Sequence, residues 1–408
     1  MEGVGVAGEA CGKINVTHPP FIARVGELVA ETAAEEMQAY AVWTVMRTMA
    51  KYLSEEVEQV HFDFFGTVLT GEKEMKPRWQ RVINVMNSLV GEMLGEAYCN
   101  KHFPEEAKRK AVAMVEQIHE TLKQRITTLE WMGDETKAKA LLKCEAIRHK
   151  IGFPDKWIDY STLDVTEEPY ATNVLRAMAF EFRRDMKRVN QPVDKDRWEM
   201  PPTVVNAYFH PTRNEICFPA AILQFPFFDA QADDAVNYGA GGAVIAHELT
   251  HGFDDQGRKF DHQGNMQDWW TSEDAAAYVE RSQRIVEQFN EYTVFGEKVN
   301  GQLTQGENIA DLGGCKLAYD ALTRTEAARC EPIDGFSPEQ RFFLSWAQIW
   351  RHNIRQAMQK TRLITDPHAP GHLRVNGPLR NLEAFHRAFN VREGDPMHIP
   401  VARAVDIW

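Results

Sequence analysis

Apolar residues recur at three- and four-residue spacing along Phe21 to Met49, Val82 to Tyr98 and Ala111 to Leu129, the period that lines one face of a helix. From about Pro20 to about Ile151 this texture is interrupted only by turn chemistry, at Gly71-Glu72, at Phe103-Pro104 and at Gly152-Phe153-Pro154-Asp155. The pattern predicts an all-helical domain over residues 1–155 and a second domain over 156–408. Beyond the last break the texture changes. Val204 to Phe209 and Glu215 to Phe218 are short and β-leaning, and Gly239 to Gly242 precedes a strongly helical run, Ala243 to Phe253. The Gly/Pro-rich stretch His368 to Pro378 reads as an ordered loop. The expected fold class is mainly α with a small β-sheet, without internal repeats.

Composition narrows the function. At 408 residues and 44% hydrophobic content, two domains with well-buried cores are expected. The 46 Lys+Arg against 59 Asp+Glu give a formal charge of −13, and no basic cluster tracks a phosphate backbone, so nucleic acid is not an expected partner. The longest apolar candidate, Phe218 to Phe228, is broken by Pro219, Gln224 and Pro226 and falls short of the roughly 20 residues that cross a bilayer. Met1 to Ala10 lack a basic start followed by an apolar stretch and do not read as a signal peptide. Six scattered cysteines without a C-x-x-C pair point to a reduced compartment. A soluble chain, cytoplasmic by default, is expected; Asn15-Val16-Thr17 would be a glycosylation acceptor only in a secreted protein.

The chemistry sits in AVIAHELTHGFDD, where His247 and His251 are four residues apart and share one helix face, able to hold one metal. Glu248, beside the first histidine, is placed as a general base towards a water on that metal. Taken alone, the motif fits two surface histidines equally well. The apolar run Ala243 to Ala246 favours a buried helix, on which unpaired histidines need partners. Gly257 and Asp254 stand where the extended metzincin motif would supply its further residues, so the third ligand lies elsewhere. Fifty-six residues on (307 − 251), GENIADLGG places Glu307 and Asp311 four apart on a helix expected to be capped by Gly313-Gly314. Two histidines and one glutamate make a catalytic zinc site with an open position. Asp311 suits the orientation of a histidine ligand.

HELTHGFDDQG, GENIADLGG and PHAPGHLRVNGPLRN together resemble the neprilysin and endothelin-converting enzyme family of zinc peptidases. So do VVNAYFHPTRNEICFPAAILQFPFFD, the DWW at Asp268 to Trp270 and the helical segments WMGDETKAKALLK and FDFFGTVLTGEKEMKPRWQRV. The resemblance runs from about Ile14 to Trp408. It implies a thermolysin-like zinc peptidase domain with a partial helical lid, since the family's chains begin well before the point matching Met1. It also implies one zinc per chain on His247, His251 and Glu307, with Glu248 as base and Asp311 orienting a histidine. Asn206 and the backbone of Ala207 would hold a peptide substrate's main chain, His368 would stabilise the oxyanion and Arg374 would pair with a substrate carbonyl. Ile222, Phe227, Val244 and Trp350 would line the pocket for a large apolar residue after the cut, although Ala221 and Phe225 stand where the family usually has Gly and Pro. Asn390-Val391 and Ala404-Val405 replace cysteines of the extracellular animal members, which brings the chain nearer to a bacterial oligopeptidase O. The alternative is a weak or inactive peptide-binding fragment of the same fold, motivated by the incomplete lid. An aminopeptidase would need an acidic site for a free N-terminus, and no motif supplies one.

Overall fold

The computed structural model describes residues 15–408; the readings on Met1 to Ala10 and on Cys11 lie outside them. Helices α1 (Pro19–Glu31), α2 (Ala34–Met49), α3 (Glu55–Phe62), α4 (Arg78–Leu89), α5 (Gly91–His102), α6 (Glu105–Thr128) and α7 (Asp134–Glu145) lead into strand β1 (Arg148–Gly152). Helix α8 (Tyr170–Met186), strands β2 (Tyr208–His210) and β3 (Glu215–Pro219), and helices α9 (Asp234–Asn237), α10 (Ala243–His251) and α11 (Ser272–Asn290) follow. A hairpin of β4 (Thr293–Val294) and β5 (Glu297–Lys298) precedes α12 (Gln305–Thr323), α13 (Pro338–Ile349), α14 (Gln356–Thr365), α15 (Gly371–Leu379) and α16 (Glu383–Phe389). The fold is mainly α with small sheets, the class that the periodicity predicts.

Two compact units form, one from residues up to Met93 with Ile158–Lys195, the other from Leu94–Trp157 with Asp196–Trp408. The sequence pattern placed one division, at 155/156, whereas the chain passes between the units three times. Helices α6 and α7 fall in the second unit because their apolar faces are needed there. Ile118, Leu122 and Ile126 of α6 and Cys144 of α7 are buried in the same core as Leu317, Ala318 and Leu322 of α12. The first unit has its own small core, Met49, Tyr52 and Val174, supported by Val85, Leu89 and Tyr170.

In the second unit β1 lies parallel to β3, with Arg148 opposite Glu215 and Gly152 opposite Pro219, and β2 lies antiparallel on the other side of β3. Strand β1 corrects the reading of residues up to Ile151 as all-helical. Its five residues are extended by pairing with the fully buried β3, a non-local interaction that helical periodicity does not report. The glycine-rich Tyr238–Gly242 is a helical turn of π type joining α9 to α10. A Cβ on Gly239 would stand 2.1 Å from Phe342 O, so the missing side chain serves close packing. Likewise Gly313-Gly314 caps nothing. Helix α12 continues to Thr323, which leaves Cys315 inside the helix and buried. Most of the expected C-terminal loop, from Gly371 onward, is also helix, α15, entered through Pro370. Cys99, Cys144, Cys217 and Cys315 are buried free thiols, and Cys330 is exposed and free. Among the described residues no helix is long and apolar enough to cross a membrane.

Candidate metal centre

Ala243, Ile245 and Ala246 are fully buried, which draws α10 into the core and carries His247 and Glu248 with it at 4% and 7% exposure. Helix α12 packs directly across α10. A Cβ on Gly314 would meet Ala243 O at 2.7 Å and His247 N at 2.8 Å, and one on Gly313 would meet Thr250 Cγ2 at 2.7 Å. This approach sets Glu307 and Asp311 against the two histidines. His247 Nε2 and His251 Nε2 are 2.9 Å apart, and Glu307 Oε2 lies 3.3 Å from the first and 3.6 Å from the second.

The opposite ring nitrogens are committed elsewhere. His247 Nδ1 lies 2.8 Å from Asp311 Oδ1, and His251 Nδ1 lies 2.6 Å from Asp254 Oδ2. Donation from His251 Nδ1–H to Asp254 fixes that ring's tautomer and turns its Nε2 lone pair towards Glu307 Oε2, while His247 Nδ1 lies beside Asp311 Oδ1 outside hydrogen-bond geometry; Glu307 Oε2 is itself buried without a hydrogen-bond partner. Three acceptor atoms converging on one point repel one another unless a cation joins them, and two nitrogens with one oxygen is a donor set that suits zinc. Glu248 also offers an oxygen within 4.8 Å of the histidine nitrogens, but the two glutamates differ. Burial raises the Glu307 carboxyl, yet positive charge on the facing histidines, whose own pKa values are, despite burial, raised by the surrounding carboxylates, outweighs it and holds the group well below its ordinary range. Burial also raises Glu248, and there it prevails. The pair thus separates an anion from a group ready to take a proton.

Behind this point Arg374 donates from Nε and Nη2 to Asp311 at 2.8 Å and 2.7 Å, and its guanidinium lies 3.8 Å from the centroid of the Trp350 ring. His368 Nε2 is 3.2 Å from Glu307 Oε2, while its Nδ1 is 2.7 Å from Asp366 Oδ1. Asp366 in turn accepts from Arg362 Nε at 2.7 Å. Sequence reasoning missed Asp254 as the support of His251, and Asp366 with Arg362 as the support of His368. The signals were local: Asp254 follows His251 by three residues and Asp366 precedes His368 by two.

A cavity of ≈ 590 Å³ opens over these groups. Its walls bring together His247, Glu248, His251, Glu307, His368 and Arg374 with Asn206, Ala207, Ile222, Phe227, Val244 and Trp350. Of the residues singled out from the sequence only Asp311 stands behind the wall. Asn206 and Ala207 run into β2, whose outer side carries no further strand among the described residues.

Two segments of the chain, residues 5–154 and 206–405, match models of peptidase family M13. An endothelin-converting enzyme homolog of Locusta migratoria is 37% identical over 97% of this chain and 56% of its own length. Neprilysin-11 of Caenorhabditis elegans is 35% identical over 93% of this chain and 46% of its own length. Among solved structures, the zinc metalloprotease Zmp1 of Mycobacterium tuberculosis in complex with inhibitor superposes with a TM-score of 0.93 at 40% identity, covering 99% of this chain and 62% of that one. The chain spans about half the length of the curated relatives it matches.

Proposed function

Because the chain belongs to peptidase family M13, we propose that it is a zinc-dependent metalloendopeptidase that hydrolyses short peptides on the amino side of large apolar residues. The observation that carries this reading is the convergence of His247 Nε2, His251 Nε2 and Glu307 Oε2, 2.9 to 3.6 Å apart, at the floor of one cavity. These three side chains would hold one zinc. When bound, zinc supplies Lewis-acid chemistry, acidifying a water towards neutral pH and polarising the scissile carbonyl.

The chain's own residues do the rest. Glu248, desolvated beside the first histidine, takes a proton from the attacking water on its carboxylate and delivers it to the leaving nitrogen. His368, its ring oriented by Nδ1 against Asp366, presents Nε2 to the developing oxyanion. Arg374 has two donors committed to Asp311, which leaves Nη1 for a substrate carbonyl. The substrate backbone extends the sheet at Asn206-Ala207 along β2. Ile222, Phe227, Val244 and Trp350 give the apolar wall that takes the residue after the cut.

The test uses an internally quenched peptide with Phe or Leu after the cut site, in zinc-buffered solution. Cleavage that a chelator abolishes is expected. Glu248→Gln is expected to retain stoichiometric zinc and to lose turnover by on the order of 10²–10⁴-fold. Full activity in that variant would remove Glu248 from the role of base.

A further inference from the structure

Lys143 sits on α7, well before the metal-binding helix in the chain, and is 1% exposed. Its Nζ donates to Gly257 O at 2.6 Å and to Phe260 O at 2.7 Å. Both carbonyls belong to the tight turn that follows Asp254. Trp269 Nε1 donates to Phe260 O at 3.0 Å and Trp270 Nε1 to Arg258 O at 3.2 Å, so the DWW segment grips the same turn. On its inner side the turn holds Asp254. Gln256 N and Gly257 N donate to Asp254 Oδ1 at 2.8 Å and 2.6 Å, which leaves Oδ2 for His251 Nδ1 at 2.6 Å. The fold-back is tight enough that a Cβ on Gly257 would lie 1.8 Å from His251 O. Gly257 is thus bonded on both sides, by its N–H to Asp254 and by its carbonyl to Lys143.

We propose that Lys143 is a positioning residue of the metal centre: its amine clamps the Gly257–Phe260 turn so that Asp254 is presented to His251, and it thereby sets zinc affinity. The inference rests on the zinc reading of the site. The path is continuous, from Lys143 Nζ through Gly257 and the Asp254 carboxylate to the His251 ring, whose Nε2 faces the metal position. A carboxylate that fixes a histidine ligand's orientation commonly governs affinity by 10- to 100-fold, and Asp254 keeps its aim only while the turn keeps its shape. An apolar side chain at 143 would leave Gly257 O buried without its donor.

The experiment measures the zinc dissociation constant of the full chain by competition with a chromophoric chelator, without peptide, beside the melting temperature of the metal-free protein. Lys143→Met is expected to raise the constant about tenfold or more. Asp254→Asn should do the same, and the double variant should bind no more weakly than Asp254→Asn alone, because both act through one carboxylate. Trp269→Phe removes one donor from Phe260 O and should weaken zinc in the same direction by less, which keeps the test open if Lys143→Met does not fold. A merely structural lysine would lower the metal-free melting temperature and leave the zinc constant unchanged. That result, or losses that multiply in the double variant, overturns the proposal. A folded wild-type chain that binds no zinc overturns the reading beneath it as well.

Discussion

Lys143 shows how far a single desolvated group can shift the behaviour of the whole chain. Burial pushes its pKa down to about 7, against the pull of Asp254 and Asp261. Below that pH the amine is protonated in both folded and unfolded chains. Between about 7 and roughly 10.4, the ordinary lysine value, the unfolded chain holds a proton that the folded chain has released. Stability therefore rises with pH across this window, by up to about 1.4 kcal/mol per unit. The clamp survives deprotonation, since a neutral amine keeps two hydrogens for two carbonyls. Urea midpoints of the metal-free protein from pH 7 to 9.5 should climb more steeply for wild type than for Lys143→Met, and equal slopes would contradict the shift. At this scale the legible residues were those whose chemistry is local in sequence. His247, Glu248, His251, Glu307 and Asp311 announce themselves by spacing on two helices. Asp254 lies past the end of α10, where no periodicity places it, and Lys143 reaches the turn from another helix.

Elements pack according to what their closest residues lack. The α10–α12 contact is made by backbone and small side chains, and at Gly314 it leaves no space for a methyl group: the nearest atoms, Ala243 O and His247 N, are backbone and cannot rotate away. Gly314→Ala should cost about 1–3 kcal/mol as overpacking. It should also weaken zinc, because it pushes His247 away from Glu307. Gly26→Ala in α1, where nothing lies within 4 Å of the new Cβ, should be neutral or slightly stabilising, as alanine favours a helix interior. Thermal melts with zinc titrations on both variants check the pair; equal effects would show that helix propensity, not helix contact, governs. The same contact explains a misreading. A Gly-Gly pair after a helical run is a natural stop signal, and only the partner helix, invisible in a local pattern, turns it into a packing surface. Strand β1 escaped for a related reason, its partner β3 being Glu215–Pro219.

At the scale of the molecule, every residue assigned to the site belongs to the second compact unit, which is assembled from two separate stretches of chain. Sequence texture could mark a break near Gly152 but not the return of residues 94–157 to the core beneath α12, because burial of the α6 face depends on which surface meets it. The division has a measurable consequence. Zinc on His247, His251 and Glu307 would bind the folded chain and not the unfolded one, so the free energy of zinc binding is stability that chelation takes away. Loss of zinc should raise hydrogen exchange along α10, along the first turns of α12 and in the turn after Asp254, all within that unit. Protection in α3, α4 and α8, which belong to the first unit, should stay at its zinc-bound level, since every member of the acceptor cluster lies in the second unit. Exchange mass spectrometry with and without chelator decides. Unchanged exchange in α10 would mean that zinc adds nothing to the helix that carries its histidines, whereas an equal rise in α3 and α8 would mean that the two units unfold as one.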